Sequence, residues 1–265
     1  MQGKEFEHQI EEFITSGFLK IEDAFSTELA KKCREILWKA SGCDPDDKST
    51  WTKPVVWLGH LSIDPFIQSA NTEKLHSYYD LLAGKGNWSK PASIGTFPVR
   101  FPTSEEDTGD GGWHIDVSFA AATSDPSNYF SWHSNIYSKG RALLMLFLYS
   151  DISENDAPTK IRVGSHLDIA ARLAPAGDEG LSLIDLAKNN FEESAHREVA
   201  TATGKAGTVY LCHPFLVHGA SVNRGTQPRF LAQPALLPAK PFELNRTDNF
   251  YNPVEIAIRN GLGLI

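Results

Sequence analysis

Gly112-Trp-His-Ile-Asp116 and, far downstream, Thr208-Val-Tyr-Leu-Cys-His-Pro-Phe-Leu-Val-His218 are the stretches on which the reading of this chain turns. Side chains two residues apart in a β-strand point to the same side, so His114 and Asp116 converge from one extended segment. The second stretch is rich in β-branched, aromatic and aliphatic residues, the composition of a strand, and it delivers His218. That histidine comes from a strand remote in sequence and adjacent in space. Two imidazoles and one carboxylate on one face of an iron leave three positions open, two for a chelating 2-oxo acid and one for dioxygen.

The chain after His218 supplies a further piece. Gly219 to Pro228 is turn-rich, and Arg229 opens a second apolar strand, Arg229-Phe-Leu-Ala-Gln-Pro-Ala-Leu-Leu. A hairpin of this kind is expected to return Arg229 to the neighbourhood of His218, where a guanidinium can grip a carboxylate through two parallel hydrogen bonds. His213 competes for the role of third ligand. In a regular strand it faces away from the side that His218 faces, but Pro214 can bulge the strand and change that. His166, in a Gly-Ser-His turn, reads as a structural hydrogen-bonding residue, and His133 as a surface one.

The organisation is helices first, then strands, in one domain over residues 1–265: a helical part over about 1–92 and a β core over about 93–240. Phe6, Ile10, Phe13 and Ile14 recur at helical spacing until Gly17. Phe18 to Ile21 reads as a short strand. Ser26 is a good N-cap for a helix through about Lys39, with Leu29, Cys33, Ile36 and Leu37 inward. A further helix is expected over Thr72 to Leu82. Ser93 to Phe101 leads through an acidic, glycine-rich loop to the His114 segment. The run Ala142-Leu-Leu-Met-Leu-Phe-Leu-Tyr149 suits a buried strand and is far short of a membrane span. Val117 to Lys139 shows no periodicity, and loops that long are often lids or binding loops. Its aromatics, Phe119, Tyr129, Phe130, Trp132 and Tyr137, either face a substrate, with Phe119, Phe130 and Trp132 the candidates for that contact, or anchor the loop to the body.

Composition narrows the partners. A net charge of −8 across 265 residues, with no lysine or arginine run, disfavours nucleic acid and anionic membranes. With 41% hydrophobic residues the chain can bury a large core. Cys33, Cys43 and Cys212 imply no disulfide framework, and the start lacks an apolar signal core, so a cytoplasmic location is expected.

Three segments together resemble the phytanoyl-CoA dioxygenase-like family of iron- and 2-oxoglutarate-dependent oxygenases. Glu11 to Ser26 is similar to the family's helix, Gly-Phe strand and second helix; Gly112 to Asp116 is similar to its first metal motif; and His218 to Asn223 with Pro228-Arg229 is similar to its distal His, Asn and Arg pattern. Arg162 to His166 resembles the tight turn after its central strand. The resemblance implies a mainly β fold with flanking helices, a double-stranded β-helix or jelly roll of the cupin type. It implies Fe(II) held by His114, Asp116 and His218, with 2-oxoglutarate and O2 as co-substrates and Arg229 on the distal carboxylate. Ser221 and Thr96 are further co-substrate candidates, although some members carry their serine where this chain has Ala220. Related halogenases replace the carboxylate of the first motif, so Asp116 argues for oxygenation.

The implied activity is hydroxylation of an unactivated C–H bond in a small or medium organic metabolite, with release of succinate and carbon dioxide. Desaturation, cyclisation or epimerisation by the same ligand set is the alternative, as is a non-catalytic metal-binding jelly roll. Without a basic cluster for nucleotide phosphates, a free metabolite such as a natural-product intermediate is favoured over an acyl-CoA.

Overall fold

The computed structural model describes residues 2–264. In chain order its strands are β1 (Phe18–Ile21), β2 (Val55–Leu58), β3 (Phe97–Arg100), β4 (His133–Ser134), β5 (Leu143–Leu148) and β6 (Lys160–Arg162). They continue with β7 (Leu181–Ser182), β8 (Val199–Thr201), β9 (Val209–Cys212), β10 (His218–Gly219), β11 (Leu231–Ala232) and β12 (Ala235–Leu236). The helices are α1 (Gln2–Ser16), α2 (Thr27–Ser41), α3 (Asp64–Ala70), α4 (Glu73–Ala83), α5 (Ser165–Leu173), α6 (Leu183–Ala187) and α7 (Pro253–Gly261).

The apolar run at β5 organises the layers. β1, β9, β5 and β11 lie side by side in one antiparallel sheet, with β12 continuing the pairing along β5. Leu143, Met145 and Phe147 point into a cluster with Phe13 of α1 and Ala30 and Leu37 of α2. Leu144, Leu146 and Leu148 point the other way, into a cluster with Ile161 of β6 and Tyr210 and Cys212 of β9. Alternation with period two therefore places helices on one face of β5 and the second sheet, β10-β6-β8, on the other. A strand covered on both faces has no polar side, which is why this segment reads as an unbroken hydrophobic run.

The helix starts behave as their capping residues predict. Ser26 accepts a hydrogen bond from the Leu29 amide, and Thr72 accepts one from Leu75. Gly17, at φ +88°, turns the chain from α1 into β1.

Three expectations need correction. Residues 208–218 do not form one strand: β9 ends at Cys212, His213 to Leu216 closes a turn with Leu216 N–H on the His213 carbonyl, and β10 joins the other sheet. Pro214 has no N–H for a ladder, and the chain uses it to cross between layers. The first 92 residues hold a second strand besides the expected β1, since β2 pairs with β3. Helices also follow the strands: α7 packs on α5 and α1. Its signal was legible, because Asn252 and Glu255 form a reciprocal capping box with Pro253 in the first turn.

His213 lies on the helical side, fully buried, its ring 4.8 Å from that of His166. His166 bonds the Ile14 carbonyl through Nε2 at 3.0 Å, the structural role expected of it. Burial pushes the His166 imidazolium down to about 4, against an ordinary 6.5, and burial together with the neighbouring His166 pushes His213 down as well. The folded state thus holds these rings neutral while the unfolded chain takes up their protons below pH 6.5. Stability is complete above that pH and falls as pH drops toward 4. For His166 alone, urea denaturation at pH 5 should show about 2 kcal/mol less stability than at pH 8; an unchanged midpoint would contradict this.

Candidate functional site

A reciprocal backbone pair assembles the site. His114 N–H donates to the His218 carbonyl and His218 N–H to the His114 carbonyl, both at 2.9 Å, which fastens the His114 segment alongside β10. Gly219 permits the approach, because a Cβ there would sit 3.2 Å from the Gly112 carbonyl. Trp113 is held by cations on its ring, Arg162 at 4.4 Å and Lys160 at 5.0 Å. A cavity of about 410 Å³ lies against this backbone, lined in part by Gly111, Gly112, Lys160, Ala220 and Ser221.

His114, Asp116 and His218 come together: one ligand atom from each lies within 4.8 Å of the others. Asp116 Oδ1 is 4.0 Å from His114 Nε2 and 3.9 Å from His218 Nε2, too far for hydrogen bonds. Each imidazole Nδ1 lies 3.0 Å from a carbonyl two residues upstream, Gly112 for His114 and Leu216 for His218. A carbonyl only accepts, so Nδ1 carries the proton and each Nε2 turns a lone pair toward Asp116. His218 Nε2 is buried with no hydrogen-bond partner. Burial, then the neighbouring His114, lowers the His218 imidazolium to about 4, so the ring is neutral at neutral pH. Burial would by itself push the Asp116 carboxyl up, but its charged surroundings, the Arg141 guanidinium foremost, hold the group below the ordinary carboxylate value. Two imidazoles, that of His218 neutral, and an ionised carboxylate, with an orphaned buried lone pair among them, suit a divalent cation of the iron type.

Arg229 is fully buried, as a co-substrate anchor requires, but it arrives by a different route from the one expected. It bridges Arg100 of β3 rather than the β10 strand, exchanging backbone hydrogen bonds of 2.8 and 3.2 Å. Its Nη1 donates to the Ala157 carbonyl at 2.8 Å and its Nη2 to Pro98 at 3.2 Å, while Nε has no partner. Two of its five N–H groups are thus used. Arg100, also buried, pairs with Asp110 and donates to Thr108. Two buried guanidiniums share one carboxylate, so one positive charge remains uncompensated, a reason for an anion to bind there. Asn223 braces the turn, donating to the Arg100 and Gln227 carbonyls. Ser221 donates to the Pro158 carbonyl at 2.6 Å, and Thr96 is exposed just ahead of β3.

The segment after Asp116 stays on the metal-site side. Ser118 N–H donates to the His133 carbonyl, and the Tyr129 hydroxyl donates to Val117 O at 3.0 Å. Phe119 is half-buried beneath Lys139, whose Nζ is 4.8 Å from its ring. Phe130 points to solvent, 63% exposed. Trp132 leans on Tyr129 and on the core and donates to the Pro126 carbonyl. His133 is buried rather than at the surface, and its Nδ1 is fixed 2.8 Å from the Glu179 carbonyl. Burial and then the Asp116 charge push the Tyr129 phenol well above the ordinary value. Sequence reasoning counted Tyr129 only among the aromatics of the long loop and passed over Arg100 and Arg141; no spacing rule links them to the triad.

A chain of layered β-sheets with flanking helices, with two imidazoles and a carboxylate converging on one point, has the layout of a non-haem metal enzyme. The chain belongs to the phytanoyl-CoA dioxygenase family, whose profile matches residues 13–231. Members of that family are oxidoreductases that use Fe(II), 2-oxoglutarate and dioxygen. Among similar solved structures is the epimerase SnoN in complex with Fe3+, alpha-ketoglutarate and nogalamycin RO, at 14% identity and TM-score 0.56, covering 95% of this chain and 93% of that one. EctD from S. alaskensis in its apoform matches at 18% identity and TM-score 0.55, covering 87% and 75%. The carbocyclase SnoK from nogalamycin biosynthesis matches at 16% identity and TM-score 0.53, covering 89% and 85%. Such identities speak to the fold. No curated protein matches the chain by sequence. Among the described residues, no helix is long and apolar enough to cross a membrane.

The division of labour in the loop is open to measurement. Phe130→Ala should change stability by less than about 0.5 kcal/mol because the ring is in water. Tyr129→Phe should cost about 1 kcal/mol through the lost bond to Val117. Equal losses in urea titrations of the two variants would contradict this assignment.

Proposed function

We propose that this protein is an Fe(II)- and 2-oxoglutarate-dependent dioxygenase that hydroxylates an unactivated C–H bond of a small or medium organic metabolite. We read its five-stranded and three-stranded sheets as the jelly roll of a single catalytic domain. The observation that carries the reading is the convergence of His114 Nε2, His218 Nε2 and Asp116 Oδ1, with the His218 lone pair buried and unpartnered. Iron bound there supplies the oxidising chemistry, at the expense of 2-oxoglutarate and dioxygen, with succinate and carbon dioxide released.

The chain's own groups supply binding and geometry. His114, His218 and Asp116 hold the metal, their Nδ1 contacts to Gly112 and Leu216 keeping each Nε2 aimed at it. Arg229, with Arg100 beside it, offers a buried positive charge to the distal carboxylate of 2-oxoglutarate. The 117–139 segment, anchored through Tyr129 and His133, covers the site and excludes water, with Phe119 on the substrate side. EctD with 2-oxoglutarate and 5-hydroxyectoine, a similar structure at TM-score 0.54, supports a small-molecule substrate.

Alanine at His114, Asp116 or His218 should abolish stoichiometric Fe(II) binding measured anaerobically, whereas His213→Ala should keep one iron per chain. Iron retained in His218→Ala and lost in His213→Ala would overturn the assignment. Arg229→Ala should weaken 2-oxoglutarate binding to the metal-loaded protein by on the order of 2 to 5 kcal/mol while iron stays bound. Calorimetry showing an unchanged affinity would remove Arg229 from the co-substrate site.

A further inference from the structure

We propose that Arg141 is a positioning residue that keeps Asp116 a one-oxygen metal ligand and so preserves an open coordination position. The inference rests on the reading of the triad as the iron site. The two oxygens of Asp116 have different partners. Oδ1 faces the two histidines, 4.0 and 3.9 Å from their Nε2 atoms, whereas Oδ2 lies 3.4 Å from Arg141 Nη1. Arg141 is 8% exposed, and its Nε and Nη1 are buried without a hydrogen-bond partner. Asp116 is the anion paired with it among the described residues.

The backbone around Arg141 is built to hold it there. Its N–H donates to the Ser138 carbonyl at 3.1 Å, and the Ser138 hydroxyl donates to the Arg141 carbonyl at 2.6 Å. Gly140, at φ +86°, lets the Ser118 backbone pack against this turn, since a Cβ would fall 2.6 Å from the Ser118 carbonyl. The chain that leaves Asp116 and the chain that enters β5 are thereby pressed together, with the carboxylate and the guanidinium between them.

The consequence follows from counting positions. A carboxylate free to turn can chelate a metal through both oxygens. With two imidazoles, that leaves two of six positions, enough for a 2-oxo acid but not for dioxygen as well. A cation held on Oδ2 makes that rotation costly and leaves three. Arg141 carries the same sign of charge as the metal, so it does not raise metal affinity by attraction. Its removal is therefore expected to leave metal binding intact while spoiling the open face, a pattern that a merely structural role does not produce.

The test uses the full-length protein, freed of metal, loaded anaerobically with Co(II), whose visible absorption reports coordination number. Wild type and Arg141→Lys should bind one Co(II) with matching spectra. Arg141→Met should bind Co(II) at least as tightly and keep its 2-oxoglutarate affinity by calorimetry, but azide, added as a stand-in for dioxygen, should no longer shift the spectrum of its 2-oxoglutarate complex as it does in the wild type. Arg141→Gln serves as the neutral variant should the methionine protein not fold. An azide response of the 2-oxoglutarate complex unchanged in the neutral variant would overturn the proposal, as would a parallel loss of metal affinity and thermal stability. Failure of the wild type itself to bind Co(II) would instead overturn the reading of the triad.

Discussion

The reciprocal pair of backbone hydrogen bonds between His114 and His218 is the constraint on which the site depends. It brings a loop-borne segment and the short β10 strand into one register, and once they are in register the side chains need little further help. Each imidazole is oriented by a carbonyl two residues back along its own chain, so a local contact sets the tautomer and the long-range pair sets the position. Gly219 and Trp113 serve the same junction, one by leaving room and the other by giving Arg162 and Lys160 a surface to lie on.

Charge is distributed in opposite senses outside and inside. The chain carries a net −8, yet Arg100, Arg141, Arg162 and Arg229 are buried. Desolvation of a guanidinium is costly unless anions or carbonyls compensate it. Arg162 is compensated by the Phe191 carbonyl and Ser194, Arg100 by Asp110, and Arg141 by Asp116, while Arg229 has two carbonyls and a positive neighbour. The molecule therefore concentrates positive potential where an anionic co-substrate would enter, which net charge alone conceals.

The helices and the small sheet divide the support between them. β5 presents one face to α1 and α2 and the other to β6, so the strand that leads from Arg141 is clamped from both sides. Neutral His166 and His213 sit in the seam with α1 and α7, where a proton would be unwelcome. Rigidity of this kind suits a site whose side chains must hold one geometry.

Local rules read directly from the chain a good part of what the structure contains. His-x-Asp spacing places two side chains on one side of an extended segment, the unbroken apolar run over 142–149 marks a buried strand, and Ser26 and Thr72 cap the helices that follow them. The capping box at Asn252 was equally local and was simply overlooked. Tertiary structure alone decided the rest: that the chain breaks at His213 and leaves His218 at the triad, that Arg229 meets Arg100 rather than the His218 strand, and that Arg141 takes one oxygen of Asp116. The physical reason is that spacing rules act within a few residues, whereas these partnerships are made between strands from different sheets and a long loop, where only the packing of layers determines which side chains meet.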